Sequence, residues 1–144
     1  VLVGHEVVDE LEEEQIASLS KTAILGILRR DLRFQGLVVT DALWRIGSGP
    51  EILERALNAG ADVLLRPADP AKPFDVLDSA VKAGRIASST IDRAVMRLLL
   101  FKERMGLFAE RMTDVSQVEK VVGAPSHREA ADRMANVVQQ LRIR

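Results

Sequence analysis

The apolar positions of this chain change period as it proceeds. Val1-Leu2-Val3 is a short apolar run, and polar Gly4-His5-Glu6 follows it. The acidic stretch from Asp9 to Glu14 predicts a solvated loop or turn. Ser20 then stands where an N-cap hydroxyl can accept an orphan backbone N–H. Ile24, Leu25, Leu28 and Leu32 follow at helical spacing, with Arg29 and Arg30 near the C-terminus, where a helix dipole favours cations. After Gly36 comes Leu37-Val38-Val39-Thr40, apolar on both faces, as a parallel strand covered on both sides requires. Asp41 ends it.

Gly47-Ser48-Gly49-Pro50 predicts a turn into a helix, with Pro50 at the first helical position. Ile52, Leu53, Ala56 and Leu57 carry that helix to Gly60, a typical residue just past a helix end. Ala61 to Leu65 reads as a third buried strand, closed by Arg66-Pro67, and a helix from about Pro73 stops at Gly84. Ser89-Thr90-Ile91-Asp92 resembles a capping box with Asp in place of Glu, and Ile91, Val95, Leu98, Leu99 and Met105 form a stripe that Gly106 ends. A short helix is expected from about Asp114 to Val122. Ser126-His127-Arg128-Glu129 has the form of a full capping box, opening a last helix with Ala130, Met134, Val137, Val138 and Leu141 on one face.

The order is therefore three strand-helix units and then helices only. Such alternation implies an α/β fold with a parallel sheet. Residues 1–110 read as the α/β part and 111–144 as a helical extension.

Composition narrows the functional classes. The chain has 144 residues, 47% apolar and 28% charged, enough for a domain with a real core. A net charge of -1 gives no general pull toward nucleic acid or an anionic membrane. Aromatics are 3% with no Tyr, which argues against a base-stacking surface and leaves few platforms for a sugar. Without Cys, disulfides and thiolate metal sites are excluded. No apolar run reaches the roughly 20 residues that cross a bilayer. Residues 1–5 lack the basic and long apolar regions of a signal peptide, which points to the cytoplasm, and they lack an initiator Met, which points to a start inside a longer protein or to processing.

In parallel α/β proteins the chemistry sits at the C-terminal ends of the strands. His5, Asp41 and Arg66 hold those three positions. Asp41 is the sharpest: at the end of an apolar strand a carboxylate can serve as nucleophile or general base, or it can simply cap the loop that follows. His5 can bind substrate or shuttle a proton, or it can bond a neighbouring loop. Arg66 can clamp a substrate oxygen or pair with Asp41, or it can make a structural ion pair with Asp69 or Asp62. Trp44, the sole Trp, is either a sugar platform or a packing residue between its loop and the next helix. His5, Glu6 and Asp41 lack the close spacing of a metal set, so no metal and no cofactor are expected. Gly47-Ser48-Gly49 before a helix can cradle a phosphate, although it completes no phosphate-loop motif.

These residues carry a family resemblance. Phe34-Gln35-Gly36-Leu37-Val38-Val39-Thr40-Asp41-Ala42-Leu43 resembles the nucleophile strand of family 3 glycoside hydrolases, and Ala56 to Leu65 resembles the helix end and last barrel strand after it. Ser18-Leu19-Ser20 through Leu32 resembles the helix before that strand, and Val3-Gly4-His5 the preceding strand end. Ala83-Gly84-Arg85-Ile86 through Lys102-Glu103-Arg104-Met105-Gly106-Leu107-Phe108 resembles the closing helices. The resemblance runs in register over about three quarters of the chain, and no single motif carries it alone. It implies the last three units of a (β/α)₈ TIM barrel, whose full form takes about 250 residues and eight strands. Thr-Asp-Ala at Thr40 to Ala42 is similar to the β-N-acetylhexosaminidase branch. The resemblance therefore implies a retaining, exo-acting hydrolase of terminal β-N-acetylglucosaminides with Asp41 as nucleophile and His5, Trp44 and Arg66 near the sugar.

Two departures qualify that expectation. Trp44-Arg45 stands where the family usually has Asp or Asn and then Met. The family's sugar-binding Lys-His motif and its acid/base lie upstream of the matching region, so the chain by itself is expected to be inactive, with the missing strands supplied by the same longer chain or by another copy. Two other readings stay open: a non-catalytic barrel remnant that oligomerises, and a small α/β domain that binds a phosphate ligand at the Gly47 to Gly49 turn. Both nucleic acid and membrane are excluded as expected partners.

Overall fold

A computed structural model of the chain describes residues 1–8, 15–69 and 71–142. The acidic stretch read as a loop, 9–14, lies outside the described residues. Two compact units are present, Val1–Met105 and Gly106–Arg144.

The first unit is built on a parallel pair, β1 (Leu2–Val3) and β2 (Val39–Thr40), with Leu2 opposite Val39 and Val3 opposite Thr40. Val39 also bridges Val63 in parallel on its other side. The segments thus lie in sequential order with β2 in the centre. The third strand expected over 61–65 shrinks to that single bridge. Its backbone explains why: the N–H groups of Asp62 and Val63 both turn to the Val38 carbonyl, at 2.8 and 3.1 Å. The Leu65 N–H is then taken by the buried Thr40 hydroxyl at 3.1 Å rather than by a ladder carbonyl.

The helix expected after Ser20 is present, but Thr22–Asp31 is wound as a π-helix. Ser20 accepts from the Ala23 N–H at 3.1 Å, in the capping role read from the sequence. An i→i+5 register brings residues five apart to one side. Ile24 and Arg29 therefore face inward together, while Leu25 and Leu32 of the expected apolar stripe are exposed. Ile24 packs with Val38 and Ala59, and Val3, Leu28 and Phe34 close around them.

Helix α1 (Pro50–Ala59) starts with Pro50 in its first turn and ends at Gly60 with φ +106°. A Cβ on Gly60 would stand 2.7 Å from Leu25 Cδ2, so the αL cap also permits a close helix contact. Leu53, Ala56 and Leu57 bury one face of α1. Leu57 meets Ala80 of α2 (Pro73–Lys82) and Ile86, closing a second small core.

Helix α3 (Ser88–Arg104) starts two residues earlier than the Ser89 box requires, and its N-cap, Ala87, has no side-chain hydrogen bond. Its inward side is also rotated from the expected stripe. Ala94 is buried, Ile91, Arg97 and Leu98 are half-buried, and Val95, Leu99 and Met105 are exposed. Arg97 sets that rotation, because its guanidinium reaches inward to Asp62 at 2.8 Å.

Asp62 is the charged centre of this unit. Its carboxylate, 1% exposed, accepts from Arg29 at 2.6 Å, from Arg97 at 2.8 Å and from the Val38 N–H at 2.9 Å. Arg29 further donates to the carbonyls of Phe34 and Gly36, at 3.0 and 2.7 Å, and lies over the Phe34 ring. Burial lowers the Arg29 pKa, and Asp62 opposes that shift by holding the charge.

In the second unit, α4 (Val115–Val121) is capped by Asp114, whose carboxylate accepts from the Ser116 hydroxyl and N–H at 2.7 and 2.9 Å. These bonds lower the Asp114 pKa, the hydroxyl contributing most. Helix α5 (Pro125–Arg142) begins one residue before Ser126, so Ser126 lies within the first turn and does not cap it. Its apolar stripe through Met134, Val137 and Val138 is exposed.

Two stability outcomes follow. Asp62→Ala should cost about 3–5 kcal/mol, because it leaves two guanidiniums facing an unpaired site; urea unfolding that shows a loss under ~1 kcal/mol would disprove the hub. Thr40→Val keeps the shape but leaves the Leu65 N–H without its acceptor, for a loss of about 1–3 kcal/mol by the same measurement.

Candidate active site

The rim of the first unit is made where its parallel segments end. Thr40 is fully buried, and the Asp41 that follows it is fixed by its own N–H, which donates to the Val3 carbonyl at 2.9 Å. The Asp41 side chain is 30% exposed, so an anchored backbone carries a carboxylate that solvent can reach. Arg45, four residues on, places Nη1 3.8 Å from Asp41 Oδ2.

Between them the chain makes a 3₁₀ turn, Leu43–Arg45. Leu43 is buried beneath it, and its N–H donates to the Leu65 carbonyl at 2.9 Å. The Trp44 N–H donates to the Arg66 carbonyl at 3.2 Å. The loop after β2 is thereby tied to the end of segment 61–65.

His5 comes from the end of β1. Its Nε2 lies 3.2 Å from the Ala42 carbonyl and its Nδ1 2.7 Å from Ser18 Oγ. A carbonyl only accepts, so Nε2 carries a proton; in the neutral ring Nδ1 then accepts from the Ser18 hydroxyl. Both ring nitrogens are engaged within the protein. A ligand would have to displace one of these bonds to reach the ring.

Arg66 and Trp44 meet as a pair. The guanidinium lies 5.7 Å from the indole centroid, within cation–π range. Trp44 is 52% exposed, which does not fit a packing role between the loop and the next helix. The ion pairs foreseen for Arg66 go elsewhere: Asp69 pairs with Lys72, Asp62 with Arg29 and Arg97, and Asp41 with Arg45. Arg66 has φ +41° and precedes Pro67, a costly conformation that the Trp44 N–H bond and the ring contact help to hold.

The structure thus gathers His5, Asp41, Trp44 and Arg66 at one end of the sheet. It adds three groups that were not singled out from the sequence. Arg45 was visible only as a departure at i+4 from Asp41. Ser18 and the Ala42 carbonyl had no sequence signal, because a chain contact joins His5 to them from 13 and 37 positions away. Among the described residues, no group of three or more His, Cys, Asp or Glu is arranged to hold a metal ion. A cleft of about 390 Å³ opens beside the rim, lined by residues that include Leu43, Gly49, Pro50, Pro67 and Lys72. At its α1 end the Glu51 carboxylate lies against Gly49, so a negative charge already stands where a phosphate would approach the helix N-terminus.

Residues 1–101 match the sequence profile of the glycosyl hydrolase family 3 N-terminal domain. The chain is 32% identical over 117 residues to a lysosomal beta glucosidase of Dictyostelium discoideum, covering 73% of this chain and 14% of that protein. It is 35% identical over 116 residues to the beta-hexosaminidase LpqI of Mycobacterium tuberculosis, covering 71% and 29%. The chain therefore spans between 14% and 29% of the length of these relatives. Among solved structures, a family 3 β-N-acetylglucosaminidase from Paenibacillus superposes with a TM-score of 0.68 at 32% identity, over 85% of this chain and 24% of the other. Since that family match runs over residues 1–101, more than half of the chain, the chain belongs to glycosyl hydrolase family 3.

Proposed function

We propose that this chain carries the nucleophile-bearing units of a retaining, exo-acting glycoside hydrolase that cleaves terminal β-N-acetylglucosaminides. One observation carries the reading: Asp41 stands at the C-terminal end of the central strand, backbone-anchored and solvent-reachable, inside the family-matched span. The sequential order of β1, β2 and segment 61–65 supports a singly wound barrel, since a doubly wound sheet reverses at a switch point. Thr40-Asp41-Ala42 and the hexosaminidase relatives support the N-acetylhexosaminide preference. Residues 1–110 hold the barrel units and 111–144 the helical extension.

In this reading the Asp41 carboxylate attacks the anomeric carbon and the glycosidic bond breaks. A separate acid protonates the leaving oxygen, and water then hydrolyses the glycosyl-enzyme. Trp44 with Arg66 offers an apolar face and a cation at the edge of the site. Arg45 holds a positive charge beside the nucleophile. Arg45 is a charged neighbour of Asp41. In this reading the acid is a group other than these two.

A second reading, a non-catalytic barrel remnant that assembles with its own kind, is favoured by exposed apolar surface. Leu2 on β1 and Val95, Met96, Leu99 and Leu100 on α3 are all open.

The purified chain should give no turnover of an ordinary aryl β-N-acetylglucosaminide. A dinitrophenyl β-N-acetylglucosaminide separates the readings, because its leaving group departs without a proton. Mass spectrometry should find a glycosyl adduct on the peptide containing Asp41, absent in Asp41→Ala. An unmodified Asp41 would sink the nucleophile assignment; together with dimers or larger species by light scattering, it would put the remnant reading in front.

A further inference from the structure

We infer that His5 is a positioning residue for Asp41, acting with Ser18 through the Ala42 carbonyl. This role rests on the reading of Asp41 as nucleophile for its catalytic meaning, and on the geometry alone for its existence.

The end of β1 grips Asp41 from both sides. Val3 accepts the Asp41 N–H at 2.9 Å, and two residues later the His5 ring meets the carbonyl of Ala42 at 3.2 Å. The peptide between Asp41 and Ala42 is therefore bracketed by two bonds from one strand end. Ala42 itself is extended, with ψ 103°, and leads directly into the 3₁₀ turn that carries Arg45. Fixing its carbonyl fixes where that turn begins, and with it the approach of Arg45 to Asp41.

Of the two neutral tautomers, one alone can do this. Its Nε2 must hold the proton, because the carbonyl cannot donate. The acceptor-only carbonyl selects this form, and Ser18, fully buried and 2.7 Å from Nδ1, then donates its hydroxyl proton to that nitrogen. Ser18 lies in the 3₁₀ turn Ala17–Leu19, which is joined to the segment after β1 through the Ala17 N–H and the Glu6 carbonyl at 2.9 Å. The donor is thus held by the same strand end that supplies the ring. Both nitrogens being used in this way, His5 orients the nucleophile rather than touching a sugar.

The test is NMR of the isotope-labelled chain, which needs no turnover. The His5 ring nitrogens should show the neutral ring protonated at Nε2. Ser18→Ala should leave Nδ1 without its partner, loosen the ring and shift the Asp41 carboxyl carbon signal. His5→Ala should shift that signal further. His5→Gln should restore it toward the wild-type position, because a glutamine amide can donate to Ala42 from a similar reach. A ring protonated at Nδ1, or an Asp41 signal unmoved in both Ser18→Ala and His5→Ala, would overturn the role. Should His5→Ala unfold, as circular dichroism would reveal, Ser18→Ala and His5→Gln still decide it. Failure of the nucleophile reading looks different: Asp41 stays unlabelled by the dinitrophenyl glycoside while these ring and carboxyl signals remain as expected.

Discussion

A buried carboxylate between two guanidiniums organises the first unit. Asp62 joins the π-helix through Arg29, helix α3 through Arg97 and the approach to β2 through the Val38 N–H. Taking such charges out of water costs several kcal/mol per ion, roughly, so the group is tolerable only when its acceptor positions are filled. Three donors from three separate stretches of chain occupy both of its oxygens. Hydrophobic contact is non-directional, and the cores around Ile24 and Leu57 are small. The directional bonds of Asp62 therefore decide how the helices are rotated about their axes.

Two departures from the apolar pattern have this origin. Helix α3 turns Arg97 inward and leaves Val95 and Leu99 outside, although the latter pair continues the apolar stripe. The π-helix turns Arg29 to the same side as Ile24, five residues earlier, beside Leu28, which packs on the same core. From Arg29 the constraint continues into the strand: its bonds to Phe34 and Gly36 fix the turn that aims residues 37–40 at the rim. The position of Asp41 is thus downstream of an ion cluster on the other side of the sheet segment.

Much of the site could be read in the sequence because strand ends are local features. An apolar run that stops at Asp41, and polar residues at positions 5 and 66, place three groups at one rim once the segments are parallel. Gly60 and Pro50 marked the ends of α1 for equally local reasons. What escaped was pairwise. Capping boxes at Ser89 and Ser126 were plausible strings, yet each helix begins one residue before that serine, at Ser88 and at Pro125. The third strand had the right composition, but the Thr40 hydroxyl intercepts the Leu65 N–H and the ladder stops. The partners of Arg66 were assigned by charge, whereas Trp44 holds it through its ring and Asp69 goes to Lys72. Each such miss is a choice between two acceptors, and the choice depends on distances that only the folded chain sets.

The rim is held mainly by bonds outside the regular ladder, since β1 and β2 share only two paired positions. Thr40 to Leu65, His5 to Ala42 and Asp62 to Val38 each join a side chain to a backbone group across a different junction. Such bonds need no further strands to form, so the anchoring of Asp41 is a property of this stretch of chain. Proton donation to a leaving group is different in kind. On the proposed reading it requires a second group at a set distance across the sugar. On the proposed reading the orientation of the nucleophile is local in this fold and proton donation is not, and the apolar surfaces that β1 and α3 leave open are where further elements would meet this stretch of chain.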